Sequence, residues 1–142
     1  DEKVVKDVAR AIGSFGVVGG QVVDIQLAKK KYELNLPIIE YIHTHKTGAL
    51  IASACKVGAK LAGASDEVIT ALYKYGENIG FAFQIVDDIF DEENYALLLG
   101  KKQAMKNAQE FIDVAKEKLK YLNDDKKQCL EELADFVINR EY

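Results

Sequence analysis

At 142 residues, 49% of them hydrophobic, the chain is the size of one domain and carries enough apolar side chain to bury a core. Nineteen basic against 23 acidic side chains leave a net charge of -4, with no basic excess to attract nucleic acid or an anionic membrane surface. Cys55 and Cys129 are too few and too far apart for a disulfide framework or a zinc ligand set, no run approaches the roughly 20 apolar residues that span a bilayer, and Asp1-Glu2-Lys3 does not open a signal peptide, so the expectation is a soluble, intracellular chain.

Residues 2–31 have the pattern of a helix, with Val4, Val5, Val8, Ala11, Ile12, Phe15, Val18, Val22, Ile25 and Leu27 recurring near the helical period. Gly13, Gly16, Gly19 and Gly20 interrupt it. A helix-interior glycine costs up to about 1 kcal/mol relative to alanine, so these glycines imply either close approach by another helix or a ligand, or a break into two helices. Gln21 and Asp24, at i and i+3, share one side just beyond them.

Asn35-Leu36-Pro37 marks a second start, Asn35 as N-cap and Pro37, the only proline, tolerated in the first turn. From there to Ala62 the positions Ile38, Ile39, Ile42, Leu50, Ala54, Val57 and Leu61 fit a long helix. His43 and His45 point away from each other at i, i+2, which argues against a shared metal and leaves them as surface or supporting residues. Lys46 and Thr47 put a point charge and a hydroxyl beside Gly48, a usable phosphate contact, although a lysine so placed is more often simply solvated. Gly63 then ends one helix and Ser65 caps the next, with Asp66 and Glu67 in its first turn.

That third helix, from about Asp66 to Phe90, ends in Gly80-Phe81-Ala82-Phe83-Gln84-Ile85-Val86-Asp87-Asp88-Ile89-Phe90-Asp91. Gln84, Asp87, Asp88 and Asp91 fall at i, i+3, i+4 and i+7, on one face. Three carboxylates within two turns suit a hard cation; a solvated acidic stripe running back through Glu77, Lys74, Thr70 and Asp66 is the open alternative. A bound divalent ion would relieve the repulsion between Asp87 and Asp91 and the crowding of acids where the helix dipole favours cations. Tyr73, Tyr75 and the phenylalanines are expected in the core. Glu92-Glu93-Asn94 leads through Tyr95-Ala96-Leu97-Leu98-Leu99-Gly100 into a helix from about Lys101 to Tyr121, buried through Ala104, Ala108, Phe111, Ile112, Ala115, Leu119 and Leu122. Asn123-Asp124-Asp125 caps a last helix with Leu130, Leu133, Ala134, Val137 and Ile138 facing in and Arg140 near its end. No strand signal or internal repeat occurs, so the expected fold is an all-α bundle of five or so helices.

Four separated signals together resemble the C-terminal half of the trans-isoprenyl diphosphate synthases, the farnesyl and geranylgeranyl diphosphate synthase family. They are Gly19-Gly20-Gln21 with Asp24, Lys46-Thr47-Gly48-Ala49-Leu50, the Gly80–Asp91 stretch, and Phe136-Val137-Ile138-Asn139-Arg140. The resemblance implies an isoprenoid-synthase-type helical bundle, incomplete here, and head-to-tail transfer of an allylic diphosphate onto isopentenyl diphosphate to give a short-chain prenyl diphosphate. It implies that Asp87, Asp88 and Asp91 hold Mg2+, that Lys46, Gln84, Gln21 and Asp24 belong to the substrate site, and that Lys46, Thr47 and Gln84 attend the ionising allylic group. It also implies a cytoplasmic homodimer. Two departures accompany it. Nothing matches the family's first aspartate-rich motif, and Asp91-Glu92-Glu93-Asn94 runs almost straight into Tyr95 where the family carries a lysine- and threonine-containing loop. These 142 residues are therefore expected to hold half a catalytic site and to be inactive alone. A catalytically silent synthase-like subunit and a ligand-free helical interaction domain are the competing expectations.

Overall fold

The computed structural model describes residues 2–140, and every regular element in them is helical. In chain order these are α1 (Glu2–Ile12), α2 (Val17–Ala28), α3 (Leu36–Ile42), a π-helical turn (His43–Gly48), α4 (Ala49–Leu61), α5 (Asp66–Asp91), α6 (Asn94–Leu99), α7 (Lys101–Lys118), a 3-10 turn (Leu119–Tyr121) and α8 (Asp124–Asn139). The all-α expectation holds, with more pieces than anticipated. The first helix divides at Gly13–Gly16, where a Cβ on Gly16 would lie 1.8 Å from the Ala11 carbonyl oxygen, a turn too tight for any side chain. The second is continuous from α3 to α4 but passes through the π-turn. Asn35 caps α3 by accepting from the Ile38 N–H at 3.1 Å, and Ser65 caps α5 by accepting from the Val68 N–H at 3.4 Å, so both helix starts lie where the sequence puts them.

α5, at 26 residues, is the element the rest packs around. Its glycines let other backbones come close: a Cβ on Gly76 would lie 2.7 Å from the Ala52 Cα of α4, and one on Gly80 would lie 2.7 Å from the Gly48 Cα of the π-turn. On its other side, Ala104, Ala108, Ile112 and Ala115 of α7, all fully buried, form a stripe of mostly small side chains against it. Two apolar clusters result. Ile39, Ile42, Phe81, Ile85, Val86, Ile89, Tyr95 and Ala96 fill the end that carries the aspartates. Tyr75, Ile79, Ala82, Ile112, Leu119, Ala134 and Val137 fill the other, where the Tyr75 hydroxyl donates to the Leu130 carbonyl of α8 at 2.7 Å.

The apolar stripe of α1 and α2 departs from expectation. Val5, Val8, Ile12, Phe15, Val18, Val22 and Ile25 are exposed, Phe15 to 79%. The segment Glu2–Ala28 is also long and apolar enough, by length and composition, to cross a membrane, contrary to the sequence reading, although the turn at residues 13–16 divides it. Towards the core α2 presents Val23 and Leu27, which pack on the aspartate-end cluster, and Gly20, which is buried against the π-turn.

Candidate functional site

The π-turn and the end of α5 run side by side, fixed at two points. Gly48 meets Gly80 at one, and His43 meets Asp88 at the other, its Nε2 3.0 Å from Asp88 Oδ2. Since 43 opposes 88 and 48 opposes 80, the turn and the helix run antiparallel, with Lys46 and Thr47 between the two contacts. α2 closes on the same turn from outside: a Cβ on Gly20 would lie 2.3 Å from the Lys46 backbone nitrogen. The glycine there answers to close helix contact, one of the two readings its position left open. One turn further along α2, Asp24 accepts from Lys46 Nζ at 2.6 Å, both side chains being about one-third exposed. Gln21 is half-buried on α2 just after Gly20, and Thr47 is half-buried on the π-turn.

The structure thus joins Asp24 to Lys46 and Gln84 to Asp87, with Gln21 and Thr47 on the two elements that meet at Gly20, but it separates the three aspartates. Asp91 is exposed at the last residue of α5. Asp87 is partly exposed, accepts from Gln84 Nε2 at 3.2 Å and pairs with Arg140 at the end of α8. The Arg140 guanidinium also donates to the Phe83 carbonyl at 3.0 Å and lies 3.8 Å over the Phe83 ring. Asp88 is only 7% exposed and turns into the core. One face shared by Gln84 and all three carboxylates is therefore not what forms, and among the described residues no three His, Cys, Asp or Glu side chains converge as a cage. The reason is angular. At about 100° per residue, Asp87 and Asp88 are the two edges of the stripe centred on Gln84 and Asp91, and the Asp88 edge is the one beside buried Ile85 and Ile89.

Sequence reasoning missed two residues here. His43, read as surface or supporting, is 2% exposed and packs edge-on to Phe81 with ring centroids 5.5 Å apart. Its signal was present in the i, i+2 pairing, since one of two histidines on opposite sides must face in; His45 is the outer one, stacked on Tyr41 at 4.0 Å. Arg140 was placed only as part of a closing motif, whereas it supplies a cation to Asp87.

Beside the site, α2, its following loop and the start of α6 frame a cleft of about 670 Å³ lined by Asp24, Leu27, Tyr32, Leu34, Glu93, Asn94 and Leu97. The turn entering it is strained: Glu92 and Asn94 have φ of 58° and 39°, in the left-handed region. Lys101, bonded to Glu92 across this turn, holds the Glu92 carboxyl below the usual carboxylate range.

The donor set suits Mg2+ by its chemistry. Asp87 and Asp91, one turn apart, are hard oxygen ligands, the position of Asp87 already faces a cation, and magnesium is commonly held by one or two carboxylates with phosphate oxygens and water completing its shell.

Residues 2–133 match the family profile described as polyprenyl synthetase. Among curated proteins the chain is 36% identical to the geranylgeranyl diphosphate synthase of Cyanophora paradoxa, an alignment covering 97% of this chain and 52% of that one. It is 37% identical to the farnesyl diphosphate synthase of Escherichia coli, covering 96% and 52% respectively. Among solved structures it superposes on the FPP/GFPP synthase of Zymomonas mobilis with a TM-score of 0.89 at 29% identity, over 95% of this chain and 50% of that one. The chain spans about half the length of the curated relatives it matches. The alignment with the Cyanophora enzyme runs over 157 positions against a chain of 142, so at least 15 residues of that relative have no counterpart here.

Proposed function

The chain belongs to the polyprenyl synthetase family, and from that we propose that it supplies the diphosphate-gripping half of a trans-prenyltransferase. The reaction would join an allylic diphosphate to isopentenyl diphosphate and give a farnesyl- or geranylgeranyl-type product, in a cytoplasmic homodimer. The observation that carries this reading is the convergence of a lysine-bearing turn and an aspartate-bearing helix end, locked together by Gly20 against Lys46 and Gly48 against Gly80. The Gly20 contact sets the backbone of the lysine turn, and the ion pair with Asp24 holds the Lys46 side chain, which supports a role for this lysine in the site.

Magnesium, when bound, supplies Lewis-acid neutralisation of a departing diphosphate. The chain's own residues do the rest. Asp87 and Asp91 offer carboxylate oxygens at the end of α5, Lys46 offers a point charge held in place by Asp24, and Arg140 holds Asp87 from the other side. The Thr47 hydroxyl and the Gln84 amide oxygen place dipoles where positive charge develops on the allylic carbon, with no nucleophile strong enough to trap it. Phe81, Ile85 and Ile89 make the dry side of the wall.

In this reading the 142 residues carry half of the catalytic site, and their coverage of about half the length of the curated relatives supports it. The test is Mg2+-dependent conversion of allylic and isopentenyl diphosphates to a longer prenyl diphosphate by the complete natural protein. Absence of that product with every short allylic diphosphate would refute the proposal, and turnover by the 142-residue segment alone would refute the half-site reading.

A further inference from the structure

Asp88 is the best-bonded side chain in the candidate site, and all of its bonds point inward. Its Oδ2 takes the His43 Nε2–H at 3.0 Å and the Tyr95 backbone N–H at 3.0 Å, and its Oδ1 lies 3.4 Å from Asn94 Nδ2. Its backbone carbonyl accepts the N–H groups of Glu92 and Glu93, the second at 3.0 Å. One residue thus ends α5, holds the strained turn at 92–94 and satisfies an otherwise unpaired N–H in the first turn of α6. His43 is nearly as enclosed. Its ring sits between Phe81 and Tyr95, at centroid distances of 5.5 and 6.0 Å, and its Nδ1 is buried without a partner, which puts the proton of the neutral ring on Nε2, facing Asp88.

We propose that His43 and Asp88 form a buried positioning pair that sets the height of Lys46 against the aspartate end of α5, and that Asp88 acts by this tie and not by ligating a metal. This rests on the reading above that the site grips a magnesium diphosphate. The tie runs through one short element: His43 opens the π-turn, and Lys46 follows three residues later with its backbone against Gly20. A carboxylate swung out towards an ion would leave two buried donors, His43 Nε2–H and Tyr95 N–H, with nothing to bond. Asp87 and Asp91 are then the two acids that face a ligand.

The experiment uses the complete natural protein with inorganic diphosphate and Mg2+ as the probe, read by calorimetric affinity and by melting temperature with and without the probe. Asp88→Asn keeps an oxygen for Tyr95 N–H and His43 Nε2–H but removes the charge, so the affinity is expected to fall by no more than about threefold, whereas Asp91→Asn is expected to lose at least about tenfold. His43→Leu should lose about 10- to 100-fold in affinity and melt lower without the probe, and His43→Gln, whose amide N–H can reach the same carboxylate, should recover most of both. Loss of affinity in Asp88→Asn as large as that in Asp91→Asn, with no change in the probe-free melt, would make Asp88 a ligand and overturn the inference. So would His43→Gln behaving like His43→Leu. If Mg2+ and diphosphate do not stabilise the unsubstituted protein at all, the functional reading fails, and with it the role of the pair in diphosphate binding; a purely structural tie would then show only in the probe-free melts.

Discussion

Gly20→Ala is the substitution on which the geometry speaks most sharply. The added Cβ would sit 2.3 Å from the Lys46 nitrogen, 2.8 Å from its Cα and 2.9 Å from the His45 carbonyl carbon, all backbone atoms that cannot rotate aside. Ordinary contact begins at 3.4 Å, so α2 and the π-turn must part by roughly 1.1 Å. Overpacking of that kind costs about 1–3 kcal/mol, only partly offset by the ~1 kcal/mol by which alanine is the better helix former. At about 2–4 °C per kcal/mol for a chain of 150–250 residues, the melting temperature should fall by several degrees. Moving Lys46 by about an ångström should also cost on the order of 100-fold in prenyl transfer, since alignment of this kind carries much of the rate. The internal control is Gly58→Ala: a Cβ there meets nothing within 4 Å, so it should stabilise by up to about 1 kcal/mol and leave turnover alone. Thermal melts and steady-state assays on the complete protein decide the matter. A Gly20→Ala protein that melts at or above the parent temperature with full turnover would show that the α2 contact does not set the lysine.

Asp87→Asn and Asp91→Asn should each lower turnover by at least about 100-fold and raise the Mg2+ concentration needed for half-maximal rate; unchanged metal demand in both would defeat the proposed site. Tyr75→Phe deletes the donor to the Leu130 carbonyl and should cost about 1–2 kcal/mol in a denaturant melt without affecting catalysis; burial pushes the Tyr75 hydroxyl far above the ordinary tyrosine range, so its contribution is fully present at neutral pH and is lost only as pH rises above the unfolded-state value. Asp7 is held below the usual carboxylate range by Lys56 and Lys60, so its contribution is present above pH ~4 and fades as pH falls through its lowered folded-state pKa. Asp7→Asn should therefore melt lower than the parent at pH 7, by up to about 1 kcal/mol for ion pairs that solvent still reaches, and the gap should narrow as pH falls below ~4; a constant gap would show that packing and not charge is responsible.

Helix starts were legible because capping chemistry is local. Asn35 and Ser65 each bond an N–H three residues on, and no distant residue can alter that geometry. The π-turn was not legible, because His43-Thr44-His45-Lys46-Thr47 with a single glycine at 48 would also fit an ordinary helix; the close contacts of Gly48 with Gly80 and of Lys46 with Gly20 that accompany it are long-range. The inward turn of Asp88 lay within reach of sequence arithmetic. Four residues at i, i+3, i+4 and i+7 span about 100° of a helix, and a stripe that wide has edges whose company differs. Ile85 and Ile89 flank one edge, and that edge faces the core.

The exposed stripe of α1 and α2 follows from the same competition. Helix α2 offers the bundle Val23 and Leu27, which pack on the core, together with Gly20 and Asp24, which meet the lysine turn. With that face inward, Val18, Val22 and Ile25 are left exposed, as are Val5, Val8, Ile12 and Phe15 before them. Seven exposed apolar side chains in succession are unfavourable for a surface that meets only water, and contiguous patches of that kind mark contact with another molecule or another part of a fold. Helix α2 therefore has two apolar sides, Val23 and Leu27 towards the core and Val18, Val22 and Ile25 away from it.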